Sequence, residues 1–213
     1  MIRLTSFLTR NNTFSHEEFI NYWFNEHAPI AQELPGLRKY CVGRPLTPKE
    51  SNFDGVAELY FDTLSEFNNV LGPDAETEAM ADVDRFISNT DRHLVNETVH
   101  HNELPSSGNK ISELYVLTRR SKIEQTQFTN ALAEIVNCCT SSSEVGLCTT
   151  ATPITKSEMY DTILKLSFDS KHTYDQYYPD AESTLFDRYP ELSTVSESTI
   201  SFVGEETTFL DTL

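Results

Sequence analysis

The chain repeats itself. "IRLTSFLTR" at residues 2–10 returns as "ISELYVLTR" at 111–119 with Ile, Leu, Thr and Arg in matching places, and Phe128 stands at the same spacing from Phe19. A supersecondary unit written twice lets the first copy constrain the fold of the whole. In that copy, residues 2–9 alternate as a strand does. Ser15 with Glu18 three residues on forms a capping box, and the helix that follows carries Phe19, Trp23, His27 and Ile30 on one side. "LRKYCVGRPL" and "FDGVAELYFD" read as strands, the second opened by an Asp-Gly turn. Helical stretches near 64–71 and 75–88, broken by "GPD", lead to the alternating "RHLVNETVHHNEL".

The order β-α-β-β-α-β is that of a ferredoxin-like unit. In the second copy "TILKLSFDS" echoes "VAELYFDT" and "STVSESTISFV" supplies a last strand. The expected class is therefore α+β, with one ferredoxin-like unit at residues 1–104, a linker at 105–110 and a second at 111–213. Such a sheet covers one face with its own helices and must bury the other. Two sheets closing face to face satisfy both copies as an eight-stranded barrel, and its interior is the expected cavity. A homodimer of such chains is compatible with this arrangement.

Sixteen Lys and Arg against thirty-three Asp and Glu give a formal charge of −17. That charge repels the phosphates a nucleic-acid or anionic-membrane binder must neutralise, so neither partner is expected. No apolar run approaches the roughly 20 residues of a membrane span, and "MIRLTSFLTRNN" lacks a secretory apolar core, from which a cytoplasmic location is expected. Cys41, Cys138, Cys139 and Cys148 lack C-x-x-C spacing, which points to neither a zinc site nor a disulfide framework.

The segment "FSHEEFINYWFNEHAPIAQELPGLRKYCVGRP", followed by "FDGVAELYFDTLSEF" and "HLVNETVHH", resembles the EthD family of the dimeric α/β barrel superfamily. The likeness lies in the Y-W-x-x-x-H-a-P helix, the l-P-G-l-r-x-Y strand entry and the D-G-v-a-E-l strand. It covers about half of the chain; the second copy has no W-x-x-x-H-a-P and is similar only in outline. The resemblance implies a barrel whose cavity binds small organic molecules, often aromatic or polyketide-like. Its superfamily includes cyclases, isomerases, dehydratases, decarboxylases and cofactor-free monooxygenases, so it implies no single reaction.

His27 is the side chain most easily poised for proton transfer near neutral pH. Pro29 lacks an amide proton and frees carbonyls near Asn25, which favour imidazolium, while burial against Trp23 opposes it. The alternative is that His27 only ties down the helical break. Glu58, with Val56 and Tyr60, lies on the strand face assigned to the barrel interior, Ala57, Leu59 and Phe61 facing the helices. There it is either a general base with a raised pKa or a structural partner of Arg3. The candidate catalytic groups are thus His27 and Glu58, and the candidate ligand contacts are Tyr22, Trp23, Tyr40, Tyr60, His93 and His101. Packing is the competing role for Trp23 and Tyr40.

No spacing pairs two histidines on one metal, and no pattern calls for haem, which wider relatives bind, so no metal or cofactor is expected. The second copy, with Leu132 and Val136 where the first has Trp23 and His27, reads as a wall without its own site. The functional expectation is a cofactor-independent lyase, isomerase or cyclase acting on an aromatic or carbonyl-bearing compound. A non-catalytic ligand-binding barrel, a haem protein and a cofactor-free monooxygenase are the alternatives.

Overall fold

Ladders of alternating strands and capped helices build two similar units in the computed structural model, which describes residues 1–105, 108–155, 160–180 and 183–213. The strands are β1 (Ile2–Arg10), β2 (Leu37–Pro45), β3 (Gly55–Phe61), β4 (Ile87–Asn102), β5 (Lys110–Arg119), β6 (Leu147–Pro153), β7 (Thr162–Phe168) and β8 (Ser196–Asp211). In hydrogen-bonding order they run β1-β3-β2-β8-β5-β7-β6-β4 and close as an antiparallel barrel. By packing the chain divides into residues 1–96 with 204–213, and residues 97–203. Both boundaries fall inside the 16-residue strands β4 and β8, each of which contributes to both units. Residues 106 and 107 of the expected linker lie outside the described residues.

In the first unit, β1 pairs with β3 (Thr5 opposite Glu58) and with β4 (Thr5 opposite His93), and β3 pairs with β2. Its helices are α1 (His16–Tyr22), α2 (Ala28–Gln32), α3 (Leu64–Leu71) and α4 (Glu78–Phe86), with a π-helical turn at Trp23–His27 between the first two. The capping box of Ser15 and Glu18 starts α1, and Thr63 with Glu66 repeats the device at α3. The core lies between these helices and one sheet face, where Leu4, Leu8, Ala57, Leu59 and Phe61 meet Phe19, Trp23 and Phe86. Ala57, Leu59 and Phe61 thus face the helices, as strand alternation requires.

The second unit uses α5 (Gln125–Thr140), α6 (Lys171–Tyr177), α7 (Leu185–Arg188) and α8 (Pro190–Val195). The repeat is visible in detail. In the first unit Asp54 accepts the Arg10 backbone N–H at 2.9 Å and its Nε at 3.1 Å, while an Arg10 Nη1 donates to the carbonyl of Phe14. In the second, Asp161 accepts the Arg119 N–H at 2.7 Å and Arg119 donates to the carbonyl of Ile123. Among the described residues no helix is long and apolar enough to cross a membrane.

The glycine of the Asp-Gly pair opens β3 without a positive φ, and what it serves is packing. A Cβ on Gly55 would stand 2.3 Å from Cζ3 of Trp23 and 3.1 Å from the carbonyl oxygen of Gly43. Gly55→Ala therefore has to displace the indole, and overpacking of this kind costs about 1–3 kcal/mol. A lowered thermal midpoint with an altered near-ultraviolet signal from the chain's one tryptophan is expected. An unchanged midpoint and spectrum would contradict this packing.

Candidate functional site

Pro29 cannot donate the bond that would continue α1 regularly, and its ring crowds the preceding turn. The chain answers with a wide turn, the N–H of Ala28 reaching back five residues to the carbonyl of Trp23. Trp23 and His27 are both buried on it, as π turns at functional positions often arrange. Facing them, α4 buries Ala79, Asp82 and Phe86 on one side, which places a carboxylate in an apolar stripe.

Asp82 is held by three donors. Its Oδ2 lies 2.9 Å from His27 Nδ1, its Oδ1 accepts the Tyr22 hydroxyl at 2.7 Å, and Arg85 Nη1 stands 3.4 Å from the same oxygen. A carboxylate accepts, so Nδ1 carries the proton and Nε2 is left with a lone pair in the neutral ring. The Phe86 ring packs 4.8 Å from that of His27. Burial holds the His27 pKa below its ordinary 6.5, with Asp82 pulling the other way. Trp23 Nε1 donates to the Tyr40 hydroxyl at 2.9 Å, and burial raises the pKa of that phenol, so it stays protonated. Its own proton has no acceptor among the described residues.

Trp23, His27, Tyr40 and Phe86 line a cavity of about 70 Å³ between the helices and the sheet of the first unit. Leu4, Leu34, Leu59, Met80 and Val83 make most of its wall apolar, while Ser6, Thr90 and Arg92 form a polar stretch. The cavity is therefore on the helix side, not on the face of Val56, Glu58 and Tyr60 where an interior site was expected. Strand parity explains the separation: Ala57 and Leu59 line the cavity, so Glu58 between them points away.

Of the candidates, the structure brings together His27, Trp23 and Tyr40. Tyr22 stands behind the cavity, binding Asp82. Glu58 Oε1 lies 3.2 Å from Arg3 Nη1, and the Tyr60 ring lies 5.5 Å from Lys39 Nζ. His93 is buried on that same face, edge-on to Phe7 at 5.6 Å and 3.3 Å from Asp91, with its pKa lowered by burial. His101 belongs to the second unit, 4.0 Å from Glu103. Asp82 escaped the sequence reading, although a carboxylate three residues from Ala79 and four from Phe86 on an amphipathic helix was a usable signal.

In the second unit the helix-facing side of the sheet holds another polar cluster. Tyr178 donates to Glu113 Oε1 at 2.7 Å, and Tyr115 to Oε2 at 3.1 Å. Tyr177 and Tyr189 share a hydrogen bond at 2.8 Å, with Cys139 Sγ 3.5 Å from the Tyr177 hydroxyl. Burial pushes the Glu113 carboxyl up to about 7, against the two tyrosine hydrogen bonds.

Set beside known proteins, residues 11–90 match the model described as EthD domain. The first unit carries an EthD domain. An anthrone oxidase-like protein of solved structure superposes with a TM-score of 0.63 at 10% identity, over 100% of this chain and 94% of that one. A provisionally named monooxygenase from Fusobacterium nucleatum gives 0.63 at 10%, over 97% and 91%. A chlorite dismutase from Candidatus Nitrospira defluvii gives 0.56 at 9%, over 97% and 90%. At these identities the likeness is one of fold. No match was found among curated proteins.

The EthD unit's dyad has a pH signature. A depressed histidine pKa means the folded state refuses a proton that the unfolded chain accepts, so its contribution to stability is present above 6.5 and is lost as pH falls through the folded value. Asp82→Asn removes the group that raises this pKa. Titration of His27 by NMR is expected to show a midpoint below 6.5 in the wild type and a lower one in Asp82→Asn; an upward shift in the variant would contradict the dyad.

Proposed function

We propose that the EthD unit catalyses proton transfer on a small, largely apolar molecule bearing a carbonyl, with His27 Nε2 as the base. The observation that carries this reading is the 2.9 Å contact between His27 Nδ1 and Asp82 inside an apolar cavity. A base held by a second group, with its other nitrogen free, is the arrangement general-base chemistry requires. Its lowered pKa keeps the ring neutral, and so able to take a proton, near pH 7.

Tyr40 completes the chemistry. Its hydroxyl accepts from Trp23 and has its own proton to give, so it serves as donor to a carbonyl oxygen. When Nε2 removes a proton from the carbon beside that carbonyl, negative charge moves to the oxygen, where the Tyr40 O–H meets it in a low-dielectric wall. Asp82 steadies the imidazolium that forms, and Tyr22 steadies Asp82; both are positioning residues. The enol or enolate is the common entry to isomerisation, cyclisation, dehydration and decarboxylation of such compounds. It is also the electron-rich species that a cofactor-free oxygenation passes to O₂, a route in keeping with the oxygenase and oxidase names of the structural neighbours.

Deuterium exchange from solvent into aryl ketones, followed by NMR, reads the proposed step without knowledge of the product. General-base contributions run to about 10²–10⁴-fold. A loss of that size is expected for His27→Ala, with a smaller loss for Asp82→Asn and thermal midpoints within a few degrees of the wild type. Exchange at wild-type rate in His27→Ala would show that His27 is not the base, and would overturn the reading.

A further inference from the structure

Arginines in the first unit are spoken for, with one exception. Residues 1–96 contain six. Arg3 pairs with Glu58, Arg10 with Asp54, Arg38 with Asp62, Arg44 with Glu205 and Arg85 with Asp82. Arg92 makes no ion pair among the described residues, and it is the one permanently charged group lining the cavity. The contrast with the rest of the molecule is large: thirty-three residues of the chain are acidic, and none of them lines this cavity.

Local structure accounts for its position. Arg92 lies opposite Ser6 on neighbouring strands, and Thr90 lies opposite Leu8. Residues 90 and 92 share the helix-side face by strand alternation, while Asp91 and His93 turn to the other. Arg92 is exposed while Leu4, Ser6, Leu8 and Leu59 of the same lining are buried, so it sits at the open end of the cavity, on the sheet face it shares with Ser6 and Thr90.

We infer that the molecule taken by this cavity carries a carboxylate, held at the mouth by Arg92 with its apolar body among the leucines inside. A guanidinium matches a carboxylate in a two-point, charge-assisted contact that an uncharged isostere cannot make. The overall negative charge of the chain opposes this only at range, since exposed charges more than about 10 Å apart are largely screened at 0.1 M salt. The inference rests on the cavity being the ligand site of the proposed function, and it adds the substrate class: an aromatic or aliphatic keto acid rather than a neutral ketone.

Phenylacetate and phenylacetamide share shape and differ in charge. Their binding can be followed by the fluorescence of Trp23, the chain's one tryptophan, which lines the cavity. Phenylacetate is expected to bind at least about tenfold more tightly than the amide, as for a hydrogen bond to a charged group, and Arg92→Gln to bring the two within about twofold. Equal affinities in the wild type, a preference that survives in Arg92→Gln, or binding of neither probe would overturn the inference. His27→Ala in the same titration is expected to keep the preference. A His27→Ala protein that still exchanges deuterium would then overturn the proton-transfer reading alone, and a lost carboxylate preference the Arg92 inference alone.

Discussion

A carboxylate on the buried side of a helix is unfavourable unless donors surround it, because an uncompensated buried charge costs several kcal/mol. Asp82 meets that demand with Tyr22 from α1, His27 from the π turn and Arg85 from its own helix. Each donor is thereby fixed in turn. The π turn is tied to α4, the imidazole is held in one orientation, and Nε2 is the nitrogen left for the cavity. Loss of the Asp82 charge would loosen the contact between these two helical segments and the tautomer together, which makes this one residue the point where packing and chemistry meet.

The first unit was legible in the sequence where local rules govern. The capping box at Ser15, the strand alternation of β3 and the aromatic side of α1 are set by neighbours in the chain, and the structure has them as read. The location of the cavity was not legible. Whether space opens on the helix side or the opposite side of a sheet depends on how the π turn packs on it, and alternation fixes only which residues share a face. That is why His27, Trp23 and Tyr40 come together while Glu58, Tyr60 and His93 stand on the other face with Arg3, Lys39 and Asp91. Arg92 shows the same limit: its face follows from the strand, but its lack of a carboxylate partner is a property of the tertiary fold.

The two units show how far one scaffold can diverge inside while its frame is kept. Both retain the arginine–aspartate clasp at the end of their first strand. Where the EthD unit has Trp23, His27 and Tyr40, the second has Leu132 and Val136 on α5 and, on β6, Cys148 paired with Leu166 as Tyr40 is with Leu59. Its polar groups come instead from Glu113 and the tyrosines after β7, bonded to one another. A ferredoxin-like unit thus specifies where a sheet and its helices meet, and the side chains brought there decide the chemistry.

The central claim is that Asp82 fixes His27 as a neutral ring protonated on Nδ1, with Nε2 free to act as a base. Nitrogen-15 NMR of labelled protein near pH 7 reads this directly. The account predicts a pyrrole-like Nδ1 and a pyridine-like Nε2, with the two becoming alike in Asp82→Asn as the tautomers mix. A wild-type ring protonated on Nε2, or one charged on both nitrogens near pH 7, would contradict it.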